Sequence, residues 1–136
     1  MRLRDDFELI ISWIEKDSRV LDLGCGDGSL LKLLKDKKNI TGYGIDNNMK
    51  QINKSIENGI NVLNFDLNDG LSEFKNNSFD YVVLAQSIQE IKDPKKLLDE
   101  MLRIGKEVIV SFPNMGHWTS RMQLLFKGKM PVTSEL

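Results

Sequence analysis

The chain has 136 residues, of which 29% are charged and 40% hydrophobic, and its formal net charge is -1. This length predicts a single domain over residues 1–136, and the near-neutral charge excludes a strongly basic surface for nucleic acid or an anionic membrane. One cysteine and one histidine exclude an internal disulfide and a zinc site of clustered Cys and His ligands. No apolar run reaches the roughly 20 residues that cross a bilayer, and no signal-peptide pattern begins the chain, so we expect a cytoplasmic protein.

The first elements expected are a helix over residues 6–16 and a buried strand over residues 19–23. A glycine-rich turn follows at residues 24–28, and a leucine-rich helix begins at Ser29. This order of strand, turn and helix places the amino end of the helix at the turn. We therefore expect a ligand there, with the carboxyl end of the strand beside it.

The turn has glycines at alternate positions: Gly24, Gly26 and Gly28. Glycine adopts backbone angles that are closed to other residues, and without a Cβ it lets a bound molecule approach the main chain. Cys25 stands between the first two glycines, where a small residue is required. The alternative is an ordinary turn whose glycines only ease the packing of strand and helix.

The residues around the turn indicate the type of ligand. A dinucleotide fingerprint, G-x-G-x-x-G, has its third glycine at the place that Ser29 occupies here. Asp22 precedes the first glycine by two residues, and its carboxylate would face a pyrophosphate unfavourably. A cationic ligand that carries an amino group and a sulfonium suits this position better.

A second strand is expected over residues 40–45, and Asp46 follows it. An acid at the carboxyl end of this strand is placed to accept hydrogen bonds from a ribose diol. The alternative is an acid that only caps the next helix. That helix begins at Asn47 and Asn48 and has Met49 in its first turn.

A third strand over residues 62–65 ends at another acid, Asp66, and a fourth is expected over residues 78–84. The polar loop after the fourth strand includes Gln86. Further along, a helix begins at Asp93 and Pro94, a fifth strand covers residues 107–112 and a last helix covers residues 119–126. The fifth strand would then be an exposed edge, covered by that helix, by the tail of the chain or by a second copy of the chain in a homodimer.

The form D-x-G-x-G-x-G, from Asp22 to Gly28, resembles the first motif of the class I S-adenosylmethionine-dependent methyltransferases. The resemblance implies a doubly wound, Rossmann-like α/β sandwich with a mostly parallel sheet, here apparently without its last strands. It also implies that Met49 contacts the adenine, that Asp66 receives the adenine amino group and that the Leu67 amide faces a ring nitrogen. The cofactor-binding set is then Asp22, Gly24, Cys25, Gly26, Asp46, Asn47, Met49, Asp66, Leu67 and Gln86, with S-adenosylhomocysteine as the product.

A narrower resemblance rests on Ser87-Ile88-Gln89, on residues 101–105 and above all on Ser111-Phe112-Pro113-Asn114 with His117-Trp118. With residues 121–124 and 128–133, these segments resemble the methionine-biosynthesis family MetW. That resemblance implies a link to homoserine O-acyltransferase, as its partner or regulator. It supplies no methyl acceptor.

Three functions follow from these observations. The first is methyl transfer from S-adenosylmethionine to a small molecule, and the second is a cofactor-binding module that acts on homoserine O-acyltransferase. The third, a nicotinamide oxidoreductase, is disfavoured by Asp22 and by the missing third glycine. No catalytic residue is assigned, since His117 is better explained as a packed or surface side chain beside Trp118.

Overall fold

The chain folds around one six-stranded sheet. The computed structural model describes residues 3–85, 91–113 and 122–128. The helices are α1 (Leu3–Trp13), α2 (Ser29–Lys38), α3 (Met49–Glu57) and α4 (Pro94–Ile104). The strands are β1 (Arg19–Leu23), β2 (Thr41–Asp46), β3 (Asn61–Asn64), β4 (Phe79–Ala85), β5 (Gly105–Pro113) and β6 (Met122–Gly128), and a 3₁₀ turn covers Leu67–Asp69. None of the helices in these ranges combines the length and the apolar character needed to cross a membrane.

The order of strands across the sheet is β3-β2-β1-β4-β5-β6. Strands β1 to β5 are parallel to their neighbours, and β6 runs antiparallel to β5. The chain leaves β1 in one direction to reach β2 and β3, and later returns to the other side of β1 with β4. In such sheets a ligand binds outside the carboxyl ends of the strands, where the order reverses. The doubly wound, mostly parallel fold expected from the sequence is confirmed.

The hydrophobic core lies on both faces of this sheet. On one face, Ile10 of α1 and Leu31 of α2 pack with Val20 and Val83, and all four are fully buried or nearly so. On the other face, Met101 and Ile104 of α4 pack with Leu21 and Val82. Because both faces of β1 and β4 are covered, apolar residues follow one another directly at 20–21 and 81–85 instead of alternating with polar ones.

The expected helix over residues 119–126 is wrong, since β6 occupies most of that range. Residues 122–126 form a short apolar run, and periodicity alone does not distinguish such a run in a helix from one in a strand. The backbone of β5 decides the outcome, because its outer amides and carbonyls need partners. Pairing places Ser111 opposite Leu125 and Val108 opposite Gly128. The exposed fifth-strand edge is therefore wrong too, and the chain carries one antiparallel strand beyond β5.

The other boundaries moved by only a few residues. Helix α1 runs from residue 3 to residue 13 instead of 6–16, and α2 extends to Lys38, although the polar residues 36–39 predict that it ends at Lys35. Asn39 then ends α2 in the left-handed conformation, and its amide donates to the Lys35 carbonyl. Polar residues alone therefore did not end this helix; a backbone conformation that asparagine tolerates did.

Gly44 in β2 allows close packing of the glycine-rich turn on the sheet. A Cβ at this position would lie 2.5 Å from the Cys25 sulfur and 2.9 Å from the Cys25 Cβ. We expect Gly44→Ala to lower the free energy of unfolding by about 1–3 kcal/mol, as overpacking does. Chemical denaturation of Gly44→Ala, Cys25→Ala and the double variant gives the measurement. The double variant should recover part of the loss, because the alanine at position 25 has no sulfur; strictly additive effects would contradict this explanation.

Candidate cofactor site

The glycine-rich turn is held in a conformation that requires glycine. Gly24, Gly26 and Gly28 have φ angles of 69°, 59° and 82°, in the left-handed region. The amides of Gly24 and Cys25 both donate to the Ile45 carbonyl, at 2.7 and 3.0 Å. These bonds join the turn to the end of β2, so the ends of β1 and β2 form one rigid corner.

Asp46 completes this corner. Its Oδ2 accepts a hydrogen bond from the Gly26 amide at 2.9 Å, and its Oδ1 accepts one from the Asn48 amide at 2.9 Å. Helix α3 is capped by Asn48, whose Oδ1 accepts from the Gln51 amide at 3.2 Å. Asp46 is therefore not the N-cap of α3. Its carboxylate is fixed in orientation by two backbone amides from different segments.

A cavity of about 370 Å³ opens at the carboxyl ends of β1, β2 and β3. Six residues proposed from the sequence line it: Gly24, Gly26, Asp46, Asn47, Asp66 and Leu67. Five others line it that the sequence did not single out: Asn48, Gln51, Phe65, Asn68 and Ile91. The cavity thus brings together acids that are 20 positions apart in the chain, because parallel strands end at the same side of the sheet.

Asp66 faces this cavity from the start of the 3₁₀ turn. Its Oδ1 accepts a hydrogen bond from the Asn68 amide at 2.9 Å, and this bond caps the turn. The Asn68 side chain in turn accepts from the Lys92 amide at 2.9 Å. These bonds tie the segment after β3 to the segment before α4, and they give the cavity a wall made from two distant parts of the chain.

A second cavity of about 260 Å³ adjoins the first and shares Gly24, Gly26 and Gln51 with it. Asp22 and Cys25 also line it. Asp22 is only 3% exposed. Burial, with a smaller contribution from the negative charge of Asp46, raises the pKa of its carboxyl group to about 8. The second cavity therefore contains a buried carboxyl group for which a nearby cation would favour ionisation.

Cys25 is buried, and its thiol is poorly suited to nucleophilic chemistry. Desolvation by burial is the main cause that raises its pKa to about 12, with a contribution from the charge of Asp22. Its sulfur lies 3.9 Å from the Ser55 hydroxyl oxygen, and that hydroxyl donates to the Gly26 carbonyl at 2.7 Å. The thiol thus fills space behind the turn.

We expect Cys25 to resist alkylation in the folded protein. Thiolate is the reactive form, and a pKa of about 12 leaves very little of it at neutral pH. Mass spectrometry after iodoacetamide treatment should show one adduct in denaturant and at least about tenfold slower labelling without it. Native labelling as fast as that in denaturant would show that the thiol is accessible and ionised.

Gln51 is a site residue that the sequence did not indicate. It lies between both cavities, and its side-chain Oε1 is buried without a hydrogen-bond partner. A buried acceptor left unsatisfied costs about 1–3 kcal/mol, which a ligand that donates a hydrogen bond would recover. Its position in the first turn of α3, two residues after Met49, was the only available signal.

Other candidates lie apart from the cavity or outside the described residues. Met49 is 55% exposed and is absent from the cavity lining; its sulfur accepts from the Asn64 side chain at 3.6 Å. Gln86 and His117 lie outside the described residues. Within the described ranges, no group of three His, Cys, Asp or Glu side chains is arranged to hold a metal ion.

Comparison with known proteins places the fold and these motifs in one family. The sequence profile described as "Methionine biosynthesis protein MetW" matches residues 4–136. The chain belongs to the MetW family. This MetW chain is 36% identical to the bifunctional methionine biosynthesis protein MetXA/MetW of Rhodopirellula baltica, over 95% of its own length. It is 26% identical to the demethylmenaquinone methyltransferase of Listeria welshimeri, over 93% of its own length.

Solved structures extend the likeness to the fold of the class I methyltransferases. A S-adenosylmethionine-dependent methyltransferase from Aquifex aeolicus superposes with a TM-score of 0.65 at 24% identity, over 79% of this chain and 64% of that one. The [4+2]-cyclase SpnF superposes with a TM-score of 0.70 at 23% identity, over 79% of this chain and 43% of that one. The fold is thus shared with proteins of different chemistry, and the site must decide the function.

The MetW chain is shorter than the relatives it matches. It spans 22% of the Rhodopirellula protein and 63% of the Listeria protein. The Rhodopirellula protein is a longer chain, and its name includes MetXA as well as MetW.

Proposed function

We propose that this MetW chain binds S-adenosylmethionine across the two adjoining cavities. The observation that carries the proposal is the convergence of Asp46, Asp66 and the glycine-rich turn on one cavity at the carboxyl ends of β1 to β3. The larger cavity would hold the nucleoside, with Asp46 at the ribose and Asp66 with the Leu67 amide at the adenine. The second cavity would hold the methionine portion beside Asp22 and Cys25.

The chemistry of the two cavities fits this ligand. The ribose hydroxyls and the adenine amino group are hydrogen-bond donors, and carboxylates are acceptors of charge-assisted hydrogen bonds. The methionine portion carries an ammonium and a sulfonium, and a cation beside Asp22 offsets the cost of ionising a buried carboxyl group. The unpartnered Gln51 oxygen between the cavities offers one more acceptor. A pyrophosphate would instead meet acids in both cavities.

We propose methyl transfer to a small molecule as the activity of this site. S-adenosylmethionine supplies a methyl group already activated by its sulfonium. The residues of the chain then need only bind and orient the reactants and exclude water, so a strong base is not required. The corner formed by Gly26 and Asp46 suits that role, because hydrogen bonds to both carboxylate oxygens hold it rigid.

A second function is favoured by the Rhodopirellula protein, a single chain that is named as both MetXA and MetW. In this alternative the chain is a cofactor-binding partner or regulator of homoserine O-acyltransferase and does not catalyse methyl transfer. The cavities would serve to sense S-adenosylmethionine. In either case we propose that residues 1–136 form one domain in the cytoplasm.

Calorimetric titration with S-adenosylmethionine, S-adenosylhomocysteine and NAD tests the ligand. We expect saturable binding of the first two and none of NAD, since the turn lacks the third glycine of the dinucleotide fingerprint. Binding of NAD alone would overturn the proposal. The Asp36→Asn variant is the control, because Asp36 is an exposed residue of α2 that pairs with Lys32.

A second experiment separates the two functions. Formation of S-adenosylhomocysteine that depends on an added small-molecule acceptor supports the enzyme. Co-purification with homoserine O-acyltransferase, together with an acyltransferase rate that changes on addition of S-adenosylmethionine, supports the regulator. Loss of either effect in the Asp46→Ala variant would assign it to this site.

A further inference from the structure

The end of the sheet at β3 is free of charge. Among the described strands, β3 is paired only with β2, so one side of its backbone faces outward. Residues 58–65 contain no charged side chain, in a chain that is 29% charged. Natural edge strands are protected by being very short or by lysine, proline or a bulge; β3 is short, with four residues, but it has no lysine, proline or bulge. Its outer edge is therefore open to pairing with another strand.

Exposed apolar side chains gather beside this edge. The structure has four large hydrophobic side chains that are exposed among the residues whose side chains it describes, and three of them are Met49, Ile56 and Leu63. Met49 and Ile56 are 55% and 59% exposed on α3, and Leu63 is 49% exposed on β3. Met49 and Ile56 are seven positions apart, which places them on one side of the helix. We call Met49, Ile56 and residues 61–64 the β3 edge.

We propose that the β3 edge is the interface of a homodimer, in which β3 pairs antiparallel with β3 of a second copy around a twofold axis. Such an interface is isologous, so the edge must be complementary to itself. A twofold axis beside Leu63 places this residue opposite Leu63 of the second copy, on the face of the sheet opposite to α3. Burial of two half-exposed leucines against each other gives this register a hydrophobic contribution.

The same axis brings the two α3 helices together. Met49 lies at the Asn64 end of β3, where the Asn64 amide donates to its sulfur, while Ile56 precedes the turn that leads into β3. Antiparallel pairing of the strands therefore places Met49 beside Ile56 of the second copy, and Ile56 beside Met49. Lys50 lies at the Met49 end and Glu57 at the Ile56 end, so opposite charges also meet. A four-residue strand alone falls short of the roughly 1,000 Å² of a stable interface, so α3 must contribute.

The inference does not depend on the cofactor. The proposed homodimer differs from the one that the sequence predicted at the fifth strand, because β6 already covers that strand. The self-complementary surface is thus at the β3 end.

Sedimentation equilibrium tests the proposal. The wild-type chain should approach twice its monomer mass of 15.6 kDa as its concentration rises. Leu63→Lys and Ile56→Lys should sediment at the monomer mass. The first places two lysines in contact across the axis, and the second places a lysine against Met49 of the second copy on each side of it. Leu9→Lys, on α1 and 40% exposed, is the matched control and should remain dimeric. Circular dichroism shows whether each variant is folded, and all three positions are exposed enough to accept lysine.

A cysteine at position 63 tests the register. Leu63→Cys should form an intermolecular disulfide under mild oxidation, since residues directly opposite in such a pair have Cα atoms about 4.5–5.5 Å apart, within the range that a disulfide spans. Leu9→Cys should remain uncrosslinked, and the buried Cys25 gives little background. The proposal would be overturned if the wild-type chain were monomeric at every concentration or if the Leu63→Lys variant remained dimeric. Equal crosslinking of both cysteine variants would also overturn it.

Discussion

Replacement of Asp46 by alanine is expected to weaken the binding of S-adenosylmethionine and S-adenosylhomocysteine by about 1–3 kcal/mol, or roughly 5- to 150-fold. Two losses add in this variant. The carboxylate that would accept the ribose hydroxyls disappears, and the Gly26 and Asn48 amides lose their acceptor. The corner between β1 and β2 then loses the bonds that hold it in position before the ligand arrives.

The Asp46→Asn variant distinguishes the two contributions. Its amide group has one acceptor and one donor, while both backbone groups at this position are donors. One N–H group is therefore left facing another, and we expect Asn to lose affinity as well, despite its similar size. Calorimetry at a temperature where every variant is folded gives the measurement, with Asp36→Asn as the control. Wild-type affinity in Asp46→Ala would remove Asp46 from the site.

Replacement of Asp22 by asparagine is expected to stabilise the ligand-free protein at alkaline pH by a few kcal/mol. Burial raises the pKa of Asp22 from 3.8 to about 8. Between these values the unfolded chain is ionised while the native chain retains the proton, so stability falls as the pH rises. Above about pH 8 the full free-energy cost of the ionised, buried carboxylate destabilises the native chain. Below about pH 4 the carboxyl group is protonated in both states, and this cost is absent. An asparagine at position 22 does not titrate and removes this part of the pH dependence.

The binding of a cation reverses this effect in the wild-type protein. A ligand with an ammonium and a sulfonium beside Asp22 lowers the pKa of the carboxyl group, so binding releases a proton near neutral pH. The affinity for S-adenosylmethionine should therefore rise by up to about tenfold per unit between roughly pH 5 and 7. In Asp22→Asn we expect weaker binding and a nearly flat profile.

Two measurements check the role of Asp22. Denaturation of the ligand-free proteins across this pH range gives the stability difference, and calorimetry in buffers of different ionisation enthalpy counts the protons released on binding. Equal pH profiles for wild type and Asp22→Asn would show that Asp22 does not titrate in this range. Proton release that persists in the variant would assign it to another group.

The lining of the candidate cavities was largely predictable from local sequence. Asp22 and Asp46 stand within strands and Asp66 stands two residues after one, and parallel strands place such positions at one edge of a sheet. Six of the ten predicted residues line the larger cavity, and Asp22 and Cys25 line the second. Met49 is exposed instead, because a helix turns by about 100° per residue and the side of α3 that faces the cavity carries Gln51, with the N-cap residue Asn48 before it.

Other features could not be predicted from local patterns. Lining residues such as Asn68 and Ile91 enter the site through long-range contacts, including the bond from the Lys92 amide to Asn68. The raised pKa of Asp22 depends on the burial of β1 by helices from elsewhere in the chain. A helix was predicted where β6 lies, because an apolar run this short is compatible with both the 3.6-residue period of a helix and the two-residue period of a strand.

The sequence by itself determined the order of the parallel strands and helices along the chain. It also determined the glycine-rich turn and the acids at the ends of the strands. Strong local signals are sufficient for these features: continuous apolar runs, glycines at positive φ and caps at helix ends. Only the tertiary structure decided which end of the sheet is open, which side of α3 faces the cavity and how deeply Asp22 is buried. These properties depend on contacts between distant segments, and a strand or helix has no exposed side until its neighbours are in place.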